Sequence, residues 1–214
     1  MQRKDRSSHG GLRDLSTNSD DVAQYYDNWA AEYDATLRQW QYEAPEQAAS
    51  RVRTLLEPGA VVIDAGCGTG LSGAALAAAG FRTIDGMDVS AQSLTVASER
   101  GVYRSLQQVD MQHLPLPYAD NAYDGLVCVG VLTYVPDSAG ILREFARIVR
   151  TGGVMLLTQR SDLLIERDFP ATLEMLQAEG LFTAFQVSEP MPYLPANDEF
   201  RDEVHVHYIV CHVA

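Results

Sequence analysis

Short apolar runs alternate with amphipathic stretches along most of the chain. Residues 60–65 form an apolar run of the kind that a parallel strand makes when both of its faces are buried. The stretch 70–79 has helical character, and Gly80 follows it as a stop. The pattern then predicts, in order, strand 82–88, helix 91–99, strand 104–109, strand 123–129, helix 137–149 and strand 153–159.

Further elements are predicted on either side of this alternation. Helices over 20–38 and 44–57 precede it. After it come a helix over 169–179 and an apolar run at 181–188. The last run, 204–213, alternates in polarity at first, which is typical of an antiparallel strand near a sheet edge.

Repeated strand–helix units indicate an α/β fold in which helices cover a mostly parallel sheet. We therefore predict a Rossmann-like three-layer sandwich with a seven-stranded, mostly parallel sheet and an antiparallel C-terminal strand. Residues 20–214 are expected to form one domain. Residues 1–19 are polar and rich in Ser, Gly and Arg, and we expect them to form a disordered tail.

The loop after the first predicted strand carries three glycines at alternate positions. Gly66, Gly68 and Gly70 follow Asp64 closely, and they let the backbone bend sharply and approach a ligand. The helix that follows presents unpaired N–H groups to the same place. Because such sheets bind ligands beyond the carboxyl ends of their strands, this loop is expected to face a ligand. Cys67 is expected to form part of the wall.

Acidic residues follow the next two strands. Asp88, with Val89 after it, lies about 20 residues beyond the glycines, where a carboxylate is placed to bind ribose hydroxyls. Asp110 can accept a hydrogen bond from an exocyclic amine, and the backbone at Met111 can contact an adenine edge. After the fourth strand, Val129 begins a small apolar ledge.

In this order, the motifs resemble those of the class I S-adenosylmethionine (SAM)-dependent methyltransferases. The run 61–70 looks like motif I of that family, while 121–127 and 150–154 resemble its fourth strand and the turn into its fifth. The resemblance covers roughly residues 20–213. Within the family, the pattern at 25–34 and 42–45 is similar to the methyltransferase-like proteins of the Williams–Beuren region.

The resemblance implies SAM as cofactor and S-adenosylhomocysteine (SAH) as product. Asp88 looks like the family's ribose contact, and Asp110 and Met111 look like its adenine contacts. The cofactor contacts so expected are Asp64, Gly66, Cys67, Gly68, Gly70, Asp88, Val89, Asp110, Met111 and Val129.

The first predicted helix carries an aromatic stripe that has two interpretations. In the family, the segment before motif I is often a lid over the methionine end of SAM. A lid over 20–57 would bring Tyr25, Trp29 and Tyr33 to the cofactor. However, spacings of three and four residues place Tyr26, Trp29 and Tyr33 on one helix face, which a permanent core helix would also need. Both interpretations stay open at this stage.

Two other classes of function compete with a methyltransferase. Gly68, Gly70 and Gly73 spell the fingerprint of a dinucleotide-binding oxidoreductase. Asp64, Asp110 and the lack of a further domain to hold a hydride acceptor favour SAM over NAD. The second alternative is a non-catalytic SAM-binding protein that acts through a partner.

Composition narrows the substrate class and the compartment. Sixteen basic and 29 acidic residues give a net charge of −13, which disfavours a nucleic-acid surface. Cys67, Cys128 and Cys211 lie far apart without zinc-ligand spacing, which suggests no metal site and favours a reducing cytoplasm. The sequence contains no run of 18 apolar residues, so it predicts no membrane-spanning helix. We expect a small-molecule substrate, and the oligomeric state stays open.

The acceptor side of the site is predicted from the ends of the later strands. Tyr134 and Arg160 should lie at the carboxyl ends of strands four and five, and His113 lies beside the third-strand loop. These three residues are the candidates for catalysis. The stretch 189–195 is stiff and is expected to form one wall. Neither Asn-Pro-Pro-Tyr nor Asp-Pro-Pro-Tyr follows strand four, which argues against the family members that methylate base or amide nitrogens with that motif. We therefore predict in-line methyl transfer to oxygen, sulfur or nitrogen of a small molecule.

Overall fold

The computed structural model describes residues 16–198 and 200–214. Its helices within these ranges are α1 (Ser19–Gln39), α2 (Ala44–Arg53), α3 (Leu71–Ala78), α4 (Ala91–Glu99), α5 (Ser138–Ile148), α6 (Ser161–Glu166) and α7 (Phe169–Ala178), with a 3₁₀ turn at Leu132–Tyr134. Its strands are β1 (Val61–Ala65), β2 (Thr83–Asp88), β3 (Ser105–Gln108), β4 (Tyr123–Cys128), β5 (Val149–Arg160), β6 (Phe182–Val187), β7 (Met191–Pro192) and β8 (His205–Val213).

The strands form one sheet in the order β3-β2-β1-β4-β5-β8-β6, with β7 paired to β8. The first five of these strands are parallel, and β8 runs antiparallel between β5 and β6. The chain moves outward from β1 to β3 and returns to pair β4 with β1, which creates a topological switch point between β1 and β4. The predicted Rossmann-like α/β fold with an antiparallel C-terminal strand is confirmed.

Alternate side chains of the central strands pack in two hydrophobic cores on opposite faces of the sheet. Ile63 of β1 and Leu126 of β4 belong to one core, whereas their neighbours Val62 and Val127 belong to the other. The first core is covered by α5 and α7, and the second is covered by α2 and α3. This alternation is the period-two geometry of a strand that is buried on both faces. The central strands are therefore buried on both faces of the sheet.

Several short elements differ from the sequence prediction. The two-residue strand β7 makes eight strands rather than the predicted seven, and it lies in the segment predicted to be a stiff wall. The six-residue helix α6 and the 3₁₀ turn were also missed. Pieces this short show no periodicity to detect. Strand β5 starts at Val149 instead of 153, because Val149 pairs with Tyr123 across a register shift.

Helix α1 begins one residue inside the predicted tail. The side chain of Asn18 accepts hydrogen bonds from the backbone N–H groups of Asp20 and Asp21, which caps the helix. Residues 1–15 of the predicted tail lie outside the described residues. In the part of the chain that the structure covers, no helix combines the length and the apolar character that crossing a bilayer needs.

Candidate active site

A cavity opens at the carboxyl edge of the sheet, next to the switch point, and helix α1 lies across it. It encloses about 630 Å³ of empty space, its open mouth included. Its lining comes from α1 and from the loops after β1, β2, β3 and β4: Ser19, Val22, Tyr26, Tyr33, Gly66, Gly68, Asp88, Val89, Asp110, Met111, Gln112, Val129, Gly130, Val131, Tyr134 and Val135. This is the place where open α/β sheets hold small ligands.

The glycine loop forms one side of this cavity. The backbone N–H groups of Gly66 and Cys67 both donate to the carbonyl of Met87, at 2.8 and 3.0 Å. Gly66 has a φ of +77°, and a Cβ there would lie 2.3 Å from the side chain of Val131. A Cβ on Gly68 would meet no atom within 4 Å. Gly66 therefore has no room for a side chain, and Gly68 leaves the backbone open to a ligand.

Asp88 ends β2 and is fixed from two sides. One carboxylate oxygen accepts from the N–H of Gly68 at 2.8 Å, and the other accepts from the N–H of Ser90 at 2.9 Å. Burial raises the pKa of Asp88, although these two backbone donors act in the opposite direction. Each oxygen keeps a second lone pair for a ligand. The carboxylate can therefore accept from two neighbouring hydroxyls without moving.

Asp110 follows β3 and also lines the cavity. It accepts from the backbone N–H of Gln112 at 2.9 Å, and it lies 2.6 Å from Nδ1 of His113. Partial burial raises the pKa of Asp110, but bonds from Gln112, Ser19 and His113 outweigh it and leave the pKa below its ordinary value. The side chain of His113 is 86% exposed and does not line the cavity. Its imidazole is thus in solvent rather than beside the predicted acceptor.

Asp64 lies beneath the glycine loop and does not line the cavity. It is fully buried, and it accepts a hydrogen bond from the hydroxyl of Tyr103 at 2.7 Å. Burial raises the pKa of Asp64 to about 7, because the charged form loses its water. The backbone N–H of Gly73 donates to the same Tyr103 hydroxyl at 3.2 Å. Tyr103 therefore links the carboxylate to the first turn of α3.

Three glycines make room for the ring of Tyr103. A Cβ on Gly73 would lie 2.2 Å from the ring, and Cβ atoms on Gly70 and Gly86 would lie 3.1 and 3.0 Å from it. Gly70 and Gly73, which match the dinucleotide fingerprint, are thus explained in this chain by the packing of Tyr103. Sequence reasoning missed Tyr103, because it interpreted Gly73 as part of a dinucleotide fingerprint and gave Gly86 no role.

The aromatic stripe of α1 faces two environments. Tyr26 and Tyr33 line the cavity. Trp29 is 6% exposed, and it packs in a third cluster with Leu37 and with residues of the 194–204 segment. Tyr25 packs edge-on against Tyr26 with ring centroids 5.4 Å apart, outside the cavity wall. The helix is therefore partly cavity cover and partly core.

Two aspartates tie α1 to the loops after β1 and β2. Asp27 accepts from the hydroxyl of Ser90 at 2.6 Å and from the N–H of Gln92 at 3.1 Å. Asp34 accepts from the hydroxyl of Thr69 at 2.6 Å and pairs with Arg100. Ser90 is the N-cap of α4, and Thr69 belongs to the glycine loop. The position of α1 is thus coupled to the loops after β1 and β2.

A second cavity adjoins the first and shares Tyr26, Tyr33, Gly130 and Tyr134 with it. It encloses about 490 Å³ on the same measure. Its other lining residues are Trp29, Leu37, Tyr42, Thr133, Arg160, Tyr193, Leu194, Phe200 and Val204. Tyr134 was predicted as a catalytic candidate, and Tyr193 lies in the segment predicted to form a wall. Both line this cavity together with Arg160, which ends β5 and pairs with Asp162.

The remaining predicted contacts lie around the glycine loop. Cys67 is 4% exposed and lines a small hollow behind Gly66 and Gly68, and burial raises the pKa of its thiol well above the ordinary value. Gly70 precedes α3 with a φ of +88° and lines neither large cavity. Val129 lines both the first cavity and the small hollow.

Comparisons with known proteins agree on one family. A family model described as a methyltransferase domain matches residues 63–157. Human methyltransferase-like protein 27 is 32% identical over 184 residues, which cover 83% of this chain and 72% of that protein. A demethylmenaquinone methyltransferase from Bacillus licheniformis is 35% identical over 108 residues, which cover 48% of this chain and 46% of that protein.

The fold has relatives among solved structures as well. A SAM-dependent methyltransferase from Thermotoga maritima is similar with a TM-score of 0.62 at 18% identity, covering 87% of this chain and 97% of that one. Identity this low shows a shared fold, and it leaves substrate and residue roles to be argued from the site itself.

Proposed function

The chain belongs to the class I SAM-dependent methyltransferases, and we propose that it methylates a small molecule held in the second cavity. The observation that carries this proposal is Asp88, whose carboxylate is fixed on the wall of the first cavity with lone pairs still available. The relative from Bacillus licheniformis is named for a quinone precursor, which is a small molecule. The net charge of −13 supports an acceptor other than nucleic acid.

The donors and acceptors around the first cavity suit the parts of SAM. Asp88 would hold the ribose hydroxyls, with Val89 beside it. Asp110 and Met111 would contact the adenine, since a carboxylate accepts from an exocyclic amine. The open backbone at Gly68 would hold the methionine end, together with Gly66.

Other predicted cofactor contacts would act indirectly or from the walls. Neither Asp64 nor Gly70 lines the cavity, and both lie against Tyr103. They would therefore shape the glycine loop through that side chain. Cys67 and Val129 would form wall, as a buried neutral thiol and an apolar side chain. Tyr33 would cover the site directly, whereas Tyr25 and Trp29 would support the helix that carries it.

When bound, SAM supplies a methyl group on a positively charged sulfur. The protein's own task is then to align the acceptor with that methyl group and to exclude water. Positioning of two reactants contributes up to about 7–11 kcal/mol. The hydroxyls of Tyr26 and Tyr134, 3.0 Å apart, stand where the two cavities meet, and we propose that they orient the acceptor with Arg160. His113 is a weaker candidate, since its side chain is 86% exposed.

We also propose that residues 20–57 act as a lid on the methyltransferase domain of 20–214. Helix α1 covers the cavity with Tyr26 and Tyr33, and a closed cover must open for cofactor exchange. The bonds of Asp27 and Asp34 to the loops after β2 and β1 would link closure to the cofactor.

Calorimetry with SAM and SAH, followed by a labelled-methyl screen of small acceptors, tests this function. Micromolar binding of both ligands and turnover with at least one acceptor class are expected. Binding without turnover on any acceptor would instead indicate a SAM-binding protein that acts through a partner. Stabilisation by NAD and not by SAM would point to an oxidoreductase.

A further inference from the structure

Two pairs of tyrosine hydroxyls line the second cavity. The hydroxyl of Tyr26 donates to that of Tyr134 at 3.0 Å, and the hydroxyl of Tyr42 is bonded to that of Tyr193. Both members of the second pair converge on Gly130, where a Cβ would lie 3.1 and 3.2 Å from their oxygens. In each pair one phenol donates to the other. Each pair therefore leaves one hydroxyl hydrogen to bond a guest.

The phenols stay protonated, and one cation lies within their reach. Burial raises the pKa of both Tyr134 and Tyr193, so both remain O–H donors near neutral pH. The charge of Arg160 acts on both in the opposite direction. The side chain of Arg160 lines the same cavity, is 13% exposed and pairs with Asp162, which does not line the cavity. The cavity thus combines neutral donors with a positive charge, which suits a negatively charged guest.

Among the residues that the structure describes, those that line this cavity offer no group that readily takes up a proton. Of the described residues that line it, none is a carboxylate or an imidazole. An alkylammonium must lose a proton before it attacks a methyl group, and an alkyl alcohol needs a general base. A hydroxyl compound that already ionises near neutral pH needs neither. The lining therefore selects the acceptor by its acidity.

The aromatic walls of the second cavity favour a particular shape of methyl acceptor. Trp29 and Tyr33 pack edge to face with ring centroids 4.7 Å apart, and Phe200 completes an aromatic wall. Aromatic side chains favour flat aromatic partners in edge or offset contact. A planar ring fits between such walls better than a flexible aliphatic chain does.

We propose that the methyl acceptor is an acidic aromatic or conjugated hydroxyl compound, a phenol or an enol, bound as its oxygen anion between Tyr134, Tyr193 and Arg160. The inference rests on the proposed methyltransferase function. The hydroxyl proton leaves to solvent on binding. The oxygen then forms a bond to the methyl carbon while the carbon–sulfur bond breaks, and its electron pair stays on sulfur. A neutral methyl ether and neutral SAH result.

The probe for this proposal is 4-nitrophenol, whose anion absorbs visible light, titrated into the protein saturated with SAH. We expect it to bind and to show an apparent pKa at least one unit below that of the free probe. Tyr193→Phe and Arg160→Gln should each weaken binding of the anion about tenfold, whereas the exposed Arg201→Gln should not change it. Benzylamine should not displace the probe.

Calorimetric SAH binding separates the two possible failures. No binding of SAH would overturn the methyltransferase proposal itself. With SAH bound, any of three results overturns the acceptor class: no probe binding, an unchanged or raised probe pKa, or displacement by benzylamine at equal concentration. The pKa of the probe on the unmodified protein decides the matter even where a variant loses its fold, which circular dichroism would reveal.

Discussion

Replacing Asp34 with alanine should release helix α1 from the glycine loop. The change removes the acceptor of the Thr69 hydroxyl and the ion pair with Arg100. Hydrogen bonds to charged groups contribute about 1.5–3 kcal/mol, and exposed ion pairs about 0.2–1 kcal/mol. The side chains of Arg100 and Asp34 are 23% and 29% exposed, so screening reduces the larger figure. A loss of about 1–3 kcal/mol makes the open state roughly 5–150 times more populated.

Amide hydrogen exchange over residues 19–39 measures this opening. In the absence of ligand, protection of α1 should fall in Asp34→Ala by a factor in that range, and SAH should restore part of it. Glu32→Ala is the matched control, since Glu32 lies on the same helix and is exposed. Equal protection in both variants would show that the bonds of Asp34 to Thr69 and Arg100 do not hold α1 on the glycine loop. Equal protection with and without SAH in the unmodified protein would show that α1 is permanent core, held by Trp29 and Leu37.

Three further changes probe the cofactor side. Asp88→Ala should weaken SAM binding about tenfold or more with the fold intact, since charge-assisted bonds to hydroxyls contribute roughly 1.5–3 kcal/mol; an unchanged dissociation constant by calorimetry would place the ribose elsewhere. Tyr103→Phe should lower the free energy of unfolding in urea by about 1–3 kcal/mol, because the buried Asp64 loses its donor. Tyr118→Phe is its control, since no described group bonds the buried Tyr118 hydroxyl, and equal losses would contradict this role. The raised pKa of Asp64, about 7, means that the folded state keeps its proton while the unfolded chain ionises. The contribution of Asp64 to the free energy of unfolding should thus fall as pH rises from about 4 to 7, at up to ~1.4 kcal/mol per pH unit, and the difference in pH dependence between Asp64→Asn and the unmodified protein should show that slope.

The sequence predicts the first cavity better than the second, and the reason is topological. Parallel strands end at the same edge of a sheet, so residues that directly follow them, such as Asp88 and Asp110, can be expected together from their order alone. The structure brings both to one cavity with Gly66 and Gly68. Their contacts with SAM stay a prediction until a ligand is bound.

The second cavity depends on residues with no such rule. Tyr42 comes from the segment before α2 and Tyr193 from the segment after β7, and they meet at Gly130 only through tertiary packing. Tyr103 likewise reaches Asp64 across the sheet, 39 residues along the chain. The side chain of His113 is exposed and does not line the cavity, although His113 lies close to Asp110 in the sequence, and its role in catalysis stays a prediction.

Thermal scans with SAH and with NAD, side by side, test most directly whether the cavity beside Asp88 is a SAM site. A ligand that binds only the native state adds ~2.7 kcal/mol of stability at 100 times its dissociation constant. SAH should therefore raise the melting temperature with the logarithm of its concentration, NAD should not, and Asp88→Ala should reduce the rise at a fixed SAH concentration by about half or more. No shift at millimolar SAH, or a larger shift with NAD, would contradict a SAM site at this edge of the sheet.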